Sequence, residues 1–582
     1  MGNITSALFV AVLFFCATIP CSAAEALNSP PLSEKQLLHK SESRAWGVYG
    51  WLNSDYSDIP KGYEGKVKGV PIVEKWRDVE PQNGVFIFDK IITPQLEQLA
   101  NAGLHTFLMI WVAPKAPEWL FDEGVPLVEM KPHVNPLGEE RNSTYQYYLD
   151  GKYQFFYYRF IDAFGKYLKS LPDHLREVIL FVQSAEGSTG DGGCYKGDPI
   201  DPKYDISGND WEEYRIVAWS KFKEAFATDN GEWIVPLAVN FDNRSEKTSR
   251  WIEENMDDIY LKKGDFSHGY HISGMSKRLD DFNAIVTRAK SRGKKVYSRG
   301  EQDAEWKTHG WSANNPEQAF YWSGLFATHN GLDMWNIPFE AMQKHNLIPT
   351  IDFFNKYSRQ HDSGSSTAAF CALRKGLDAS DTDGYPVKLY GKARRSNTDR
   401  YIKIAQAHNR YGAVQQDPGR ATKGMMINRK RKGYNDVGWD IVPSNYCRFL
   451  TQIDADQTSV GYWHIDKTIY GRFARGFEKA SGRDAMYFAL DPDFFAGGVA
   501  DRVKLTITYL DNADSVWEVC YGTRSGTECR VVMGSGSNSW KQVDFILSDV
   551  LFQKVLDRDS DLIIRDKSGD DTIFHMIEID RL

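Results

Sequence analysis

Short apolar runs alternate with amphipathic runs over the first two-thirds of the chain. The apolar runs are rich in β-branched and aromatic residues, and between them apolar residues recur at helical spacing. Strands that alternate with helices are typical of a parallel sheet. Eight runs predict strands, at residues 45–51, 69–73, 105–111, 178–186, 233–240, 266–271, 295–301 and 332–336. This pattern predicts a (β/α)8 barrel, also called a TIM barrel, over residues 25–361.

The pattern changes near residue 435, where short alternating segments separated by turns replace the helices. The clearest segments are 503–509, 517–521, 529–533, 542–547 and 574–579. Their even spacing predicts an all-β sandwich domain over residues 435–582. It serves either as a packing support for the barrel or as a carbohydrate-binding module. Residues 362–434 are a connecting segment with one predicted helix and a basic run at 428–432, which is either a solvated face or a contact to an anionic polysaccharide.

The amino terminus has the pattern of a secretory signal. An apolar core at residues 8–17 is followed by small residues before Glu25, which predicts a signal peptide over residues 1–24. The protein is therefore expected to be secreted or periplasmic. A myristoylation pattern at Gly2 and a lipid-modified Cys21 are the less favoured alternatives. No later segment is apolar enough to predict a membrane span.

Composition narrows the class of protein. With 42% apolar and 25% charged residues, the chain is typical of globular proteins, and its net charge of -8 disfavours nucleic acid as a partner. Aromatic residues make up 13% of the chain, a supply that serves either cores or the stacking of sugar rings. Export permits disulfides, and Cys520 and Cys529 flank a Gly-rich turn that they could bridge. No zinc-type Cys/His spacing or phosphate-binding loop occurs, so neither a metal nor a cofactor is expected.

Two glutamates end strand-like runs at positions that matter for chemistry. Glu186 ends the fourth predicted strand and Glu301 ends the seventh. Side chains at the carboxyl ends of barrel strands point into the active site. Hydrolysis of a glycosidic bond needs one carboxylic acid to protonate the leaving oxygen and one carboxylate to attack or to activate water. Both residues are therefore catalytic candidates, and the alternative for each alone is an ordinary loop carboxylate.

A resemblance to known enzymes lies in the first third of the chain. It is carried by Trp76-Arg-Asp-Val-Glu-Pro at residues 76–81, by the segment 96–103, and by Ala-Pro-Glu-Trp-Leu at residues 116–120. These segments resemble retaining glycoside hydrolases of the clan A type, such as β-galactosidases and endo-acting agarases, porphyranases and carrageenases. The resemblance implies that Glu186 is the acid/base and Glu301 the nucleophile. It departs from the family at Ala185, where an Asn is usual, so Asp191 and Asp303 remain back-up carboxylates.

Several further residues are candidates for binding substrate because they end or follow predicted strands. Five tryptophans could form sugar platforms, and polar side chains near the same strand ends could orient the sugar or the nucleophile. Arg299 could also hold Glu301 ionised. His271, with Tyr270, ends the sixth predicted strand and is either a ligand or a core histidine. The candidates are Trp51, Trp111, Trp119, Gln183, Asn240, His271, Arg299, Trp306 and Trp335.

The sequence therefore favours an exported, endo-acting, retaining glycoside hydrolase that needs no cofactor. Its expected substrate is a β-linked polysaccharide, most plausibly an algal galactan such as carrageenan, agar or porphyran, with or without sulfate. One alternative is an exo-acting β-galactosidase-like enzyme. Another is a barrel that binds carbohydrate without catalysis.

Overall fold

Eight parallel strands form the first sheet of the described chain and close on themselves. They are β1 (Gly47–Trp51), β2 (Ile72–Lys75), β3 (Thr106–Trp111), β4 (Ile179–Gln183), β5 (Leu237–Asn240), β6 (Ile259–Lys262), β7 (Val296–Glu301) and β8 (Met334–Pro338). From β2 to β8 each strand pairs with the next, β8 pairs with β1, and an isolated bridge between Tyr49 and Gly69 links β1 to the segment before β2. The arrangement is that of a (β/α)8 barrel, as predicted.

Gly69 closes the barrel between β1 and β3. The backbone of Lys68 accepts from His105 at 3.0 Å and donates to Val48 at 2.8 Å, while Gly69 accepts from Gly50 at 2.9 Å. A Cβ at Gly69 would lie only 1.8 Å from the carbonyl oxygen of His105. Only glycine therefore lets the segment before β2 lie this close to its neighbour.

The computed structural model describes residues 45–51, 54–114, 116–134, 140–141, 143–241, 245–266, 276–303, 305–308, 314–416, 436–512, 515–568 and 570–582. The predicted signal, His271, Tyr270 and the basic run 428–432 lie outside these residues. Within them, no helix is long and apolar enough to span a membrane.

Helices of eight or more residues follow most barrel strands. They are α1 (Thr93–Ala102), α2 (Gly151–Ser170), α3 (Gly208–Phe226), α4 (Glu246–Asn255), α5 (Ser276–Ser291), α6 (Pro316–His329) and α7 (Ile348–Tyr357), with α8 (Thr398–Ala407) beyond the barrel. Shorter helices lie at Trp76–Val79, Phe88–Ile91, Trp119–Asp122, Asp173–Arg176, Glu305–Thr308, Phe339–Lys344, Val387–Tyr390 and Ala455–Thr458. Asp150 and Ser207 cap α2 and α3 by accepting backbone N–H bonds with their side chains.

The sixth strand was predicted at the wrong place. The sequence pattern indicated residues 266–271, but the strand is β6 (Ile259–Lys262), and Phe266 ends the short 3-10 helix Gly264–Phe266. The four residues of β6 follow α4 after a brief turn, so their pattern is too short to stand out from the helix before them. The correction changes which side chain ends the sixth strand, from His271 to Lys262.

Aromatic side chains fill the interior of the barrel. The ring of Trp46 lies 5.1 Å from that of Tyr297, and Phe107 lies 5.2 Å from Phe181. Ala185 belongs to this interior cluster, whereas Trp219 and Tyr157 belong to the larger cluster between the strands and the helices. The barrel thus has a packed core rather than an open pore.

The second large sheet is antiparallel and has twelve described strands. They are β9 (Ala368–Ala372), β10 (Tyr446–Arg448), β11 (Leu450–Ile453), β12 (Val460–Trp463), β13 (Phe473–Gly476), β14 (Ala485–Leu490), β15 (Val499–Leu510), β16 (Val516–Thr523), β17 (Gly526–Met533), β18 (Trp540–Leu551), β19 (Leu562–Ser568) and β20 (Ile573–Arg581). The main order is β10-β9-β20-β15-β18-β16-β19-β14-β11. Smaller two-stranded pairs are Leu127–Glu129 with Thr144–Gln146, His133–Val134 with Glu140–Arg141, and Leu377–Asp378 with Val437–Gly438.

The antiparallel sheet encloses its own apolar core and includes β9, which comes from the predicted connecting segment. β9 pairs with β20 on one side and β10 on the other. As the sequence suggested, Cys520 and Cys529 form a disulfide across the β16–β17 hairpin, while Cys194, Cys371 and Cys447 are free thiols. The domain limits at 361 and 434 stay predictions.

Helix α6 joins the barrel to the antiparallel sheet. The Trp322 ring lies edge-on to Phe473 at 4.9 Å, and its Nε1 donates to the backbone oxygen of Ile469 at 3.1 Å. The hydroxyl of Tyr321 lies 2.8 Å from Nε2 of His575. Because these side chains are buried, the two sheets share an apolar interface.

Candidate active site

Two cations hold the carboxylate of Glu301 at the end of β7. Lys262 Nζ lies 3.0 Å from Glu301 Oε1, and Arg299 Nη2 lies 3.1 Å from Oε2. The side chain of Glu301 is only 7% exposed. Two positive groups within hydrogen-bonding distance favour its ionised form, which a nucleophile requires. This is the contact expected if Arg299 keeps Glu301 charged.

Arg299 connects side chains from across the barrel. Its Nη1 donates to Gln183 Oε1 at 2.6 Å, and its Nε donates to Asn336 Oδ1 at 2.9 Å. The guanidinium lies over the rings of Trp51 and Phe107, 4.5 and 4.4 Å from their centroids. The structure thus brings together three residues predicted from sequence, namely Arg299, Gln183 and Trp51.

The indole of Trp51 forms a hydrogen bond with Asp303, a second carboxylate that follows β7. Its Nε1 donates to Oδ1 of Asp303, two residues beyond Glu301. Trp111, which ends β3, is half-buried at the same edge of the sheet. Trp51 and Trp111 are therefore the two predicted platforms that lie at strand ends of the barrel mouth.

The Gly-rich loop after β4 folds back over the mouth. The backbone oxygen of Gly190 accepts from Asn240 Nδ2 at 3.1 Å and from Gln183 Nε2 at 3.4 Å. A Cβ at Gly190 would lie 2.6 Å from the sulfur of Met109, and its φ is +75°. Glycine is required for this close approach, and it lets the loop lie directly on the interior side chains.

This loop brings Asp191 close to Glu301. Lys262 Nζ lies 3.9 Å from Asp191 Oδ1 and 3.0 Å from Glu301 Oε1. The two carboxylate oxygens are therefore no farther apart than the sum of these distances, 6.9 Å. Asp191 also pairs with Lys196 Nζ at 3.0 Å, and its side chain is 47% exposed. This upper bound includes the separation of about 5 to 5.5 Å between the two carboxyl groups of retaining glycoside hydrolases.

Glu186 is directed into the helix layer. Its Oε1 accepts from Trp219 Nε1, and its Oε2 lies 3.8 Å from Arg215 Nε, both on α3. Burial chiefly raises the pKa of Tyr157 on α2, and the charges of Tyr153 and Glu186 add to this shift. Ala185, the preceding residue, faces the barrel interior. Glu186 is 1% exposed, and its contacts differ from those of Glu301.

Three of the predicted tryptophan platforms have their indoles packed against protein. Trp119 Nε1 donates to the backbone oxygen of Glu80 at 3.1 Å, and the Trp306 ring lies 5.5 Å from that of His345. Trp335 is fully buried in the cluster between strands and helices. A role of these three indoles in binding sugar stays a prediction.

Sequence reasoning missed three side chains at the mouth or beside it. Lys262 was missed because the sixth strand was misplaced, although the apolar run Ile-Tyr-Leu before it was the available signal. Asn336 Nδ2 donates to the backbone oxygen of Gly50 at 2.8 Å and orients Arg299. Arg215 Nη2 donates to the backbone oxygen of Asn240 at 2.7 Å and so fixes the end of β5. No sequence signal marks Arg215, which lies within an amphipathic helix.

Comparison with known proteins gives limited help. No protein-family model and no curated protein matches the sequence. Similar solved structures include the catalytic domain of a β-amylase from Paenibacillus polymyxa, with 11% identity, 53% of this chain and 96% of that chain covered, and a TM-score of 0.35. A β-galactosidase from Marinomonas ef1 has 10% identity, coverage of 66% and 69%, and a TM-score of 0.35. A GH5_18 protein from Bifidobacterium longum has 10% identity, coverage of 67% and 93%, and a TM-score of 0.31. Likeness this weak supports no assignment of activity.

Proposed function

We propose that this barrel is a retaining glycoside hydrolase in which Glu301 is the nucleophile. The observation that carries the proposal is the carboxylate of Glu301 at the end of β7, held by Lys262 and Arg299, with a second carboxylate no farther than 6.9 Å away. Glu301 attacks the anomeric carbon and forms a glycosyl ester while the leaving oxygen takes a proton. Water then attacks the ester and releases the sugar with its original configuration.

We assign the acid/base role to Asp191 in preference to Glu186. Asp191 lies across Lys262 from Glu301 and has a half-exposed carboxylate, whereas Glu186 is enclosed by Trp219 and Arg215. In that role Asp191 donates a proton to the leaving oxygen as the ester forms and accepts one from water as the ester breaks.

The test of these roles compares Asp191→Asn with Glu186→Gln. Loss of the acid slows substrates with poor leaving groups far more than activated aryl glycosides, because only the former need a proton to depart. We expect this selective loss in Asp191→Asn and an equal effect on both substrates in Glu186→Gln. The reverse result would return the acid/base role to Glu186. Equal effects in both variants would assign it to neither, and Asp303 would be tested next.

The proposed substrate is a β-linked polysaccharide cleaved internally, specifically an algal galactan such as carrageenan, agar or porphyran. The resemblance at residues 76–120 supports a clan A type of chemistry, and Trp111, half-buried at the end of β3, supplies an aromatic ring at the mouth. Release of oligosaccharides from a panel of plant and algal polysaccharides tests the class of substrate. Product sizes over time separate this action from that of an exo-acting β-galactosidase. Binding without any released sugar would instead favour a non-catalytic barrel.

A further inference from the structure

Lys262 occupies a position between the two carboxylates of the proposed site. Its side chain is 7% exposed and its Nζ lies 3.0 Å from Glu301 Oε1. The same Nζ is 3.9 Å from Asp191, which lies in the loop after β4. Lys262 ends β6 in register with Arg299 on β7, so two adjacent strands present their cations side by side.

We propose that Lys262 is a positioning residue that sets the pH range of the reaction. It keeps Glu301 ionised and holds the Asp191 loop over the mouth. This inference rests on the proposed function of Glu301. Among the described residues, the charged groups that face Glu301 are Lys262 from β6, Arg299 from β7 and Asp191 from the loop after β4, with Asp303 two residues along the chain. Lys262 also lies 3.9 Å from Asp191.

Removing the ammonium should make Glu301 easier to protonate. In Lys262→Met the methionine keeps the length and apolar stem of the lysine, so loss of charge is the main change. We expect the acidic limb of the kcat/KM profile to move to higher pH by about 1 to 3 units, the size of effect that one close cation has on a carboxylate. Lys262→Arg should return the limb toward its original position.

Lys196→Met is the matched control. Lys196 pairs with Asp191 at 3.0 Å and is 48% exposed, so this variant removes a positive charge from the Asp191 side of the site. Its acidic limb should stay within a few tenths of a unit of the parent. Equal limbs in Lys262→Met and the parent would overturn the proposal, as would an equal movement in both lysine variants.

Two variants, Glu301→Gln and Lys262→Met, distinguish a failure of the Lys262 proposal from a failure of the proposed function. If Glu301→Gln keeps full turnover, Glu301 is not the nucleophile and the proposed function fails. If Glu301→Gln is inactive while the acidic limb of Lys262→Met is unmoved, only the role of Lys262 fails. Thermal unfolding of each variant checks that the barrel is intact.

A second, independent observation concerns two free thiols of the antiparallel sheet. Cys371 on β9 and Cys447 on β10 lie directly opposite each other, with their sulfurs 3.1 Å apart. The backbone N–H and carbonyl of Cys447 both contact Nδ1 of His329, away from β9. The pair is therefore of the non-hydrogen-bonded kind, in which opposing residues come closest. Cys520 and Cys529 occupy the equivalent opposite positions on β16 and β17 and form a disulfide.

We infer that Cys371 and Cys447 are a second disulfide site. Oxidation by a small disulfide such as oxidised glutathione forms the S–S bond. Each thiol loses its proton, and the two electrons reduce the small disulfide to two thiols. The hydrogen bond with Cys371, followed by burial, raises the pKa of the Cys447 thiol, so exchange should be faster at alkaline pH.

Peptide mapping of the full chain tests this site. After incubation with oxidised glutathione at alkaline pH and alkylation in denaturant, we expect the peptides that carry Cys371 and Cys447 to be linked. Cys371→Ser should leave Cys447 unlinked to any peptide and the Cys520–Cys529 bond in place. Full alkylation of both Cys371 and Cys447 in the oxidised parent, with Cys520 and Cys529 still linked, would overturn the inference.

Discussion

Arg299 Nη2 lies 3.1 Å from Glu301 Oε2. A single residue, Gly300, separates the two along β7. Residues two apart on a strand share a face, so the cation and the carboxylate meet without any loop to bring them together. Arg299 is in turn held by Gln183 and Asn336. The position of Glu301 is therefore set by the rigid part of the barrel.

Glu301→Gln should abolish turnover and leave the fold intact. The amide keeps the shape of the side chain but cannot form the glycosyl ester, so we expect a loss of several orders of magnitude in kcat. Azide should restore part of the activity on activated aryl glycosides and give an inverted product. A loss smaller than about tenfold would remove Glu301 from the role.

Arg299→Met should reduce both activity and stability. The substitution removes a buried cation that pairs with Glu301 and leaves the acceptors on Gln183 and Asn336 without their donor. Losing one partner of a buried pair typically costs about 3 to 5 kcal/mol. Chemical denaturation measures this loss of stability. Lys247→Met, on the exposed face of α4, is the control, and its unfolding midpoint should lie near that of the parent. A parent-like midpoint for Arg299→Met would contradict the central position of this side chain.

Glu186→Gln should act on folding more than on chemistry. The amide can still accept from Trp219, but the charge that faces Arg215 is lost, and both side chains are 1% exposed. We expect a fall of about 3 to 5 kcal/mol in the free energy of unfolding. Activity per folded molecule should remain close to that of the parent on both activated and unactivated substrates. A normal unfolding midpoint with little activity would show that Glu186 acts in the reaction.

A fragment that ends near residue 434 should fail to fold as a soluble barrel. Truncation removes β10 and β20, the two neighbours of β9, and exposes the α6 side chains that contact Phe473 and His575. Trp322→Ala in the full chain tests the same interface by removing one ring. This substitution should lower the free energy of unfolding by about 3 to 5 kcal/mol. A stable and fully active fragment 26–434 would show instead that the antiparallel sheet is an independent module.

Acid should destabilise the protein through buried histidines. Burial lowers the pKa of His575 to about 3, and burial is also the main cause that lowers the pKa of His329 to about 4. The unfolded chain binds these protons near pH 6.5, while the folded chain does not, so stability is full above pH 6.5 and falls as the pH drops. Each such histidine lowers the free energy of unfolding by about 1.4 kcal/mol for every unit that the pH falls between 6.5 and the pKa of that histidine in the folded protein. Unfolding midpoints at pH 7 and pH 5 measure the slope, which should be shallower in His575→Gln.

The sequence by itself determined the succession of strands and helices and the position of Glu301. Those features are local, because a strand is marked by β-branched and aromatic residues and a helix by its 3.6-residue period and its caps. Helices α2, α3 and α5, for example, lie within a few residues of 154–170, 211–226 and 277–292, the ranges that the spacing of apolar residues predicts. Cys520 and Cys529 could also be paired from sequence, since a short turn fixes the register of their hairpin.

Only the tertiary structure decided which carboxylates meet. Ala185 and Glu186 both follow the last residue of β4, and no sequence pattern states which of them faces the interior. Packing of Glu186 against Trp219 on α3 settles that question, because these residues are 33 positions apart and meet only when the helix docks. Lys262 reaches both Asp191 and Glu301 for the same reason: the three lie on separate segments that the closed barrel brings to one edge.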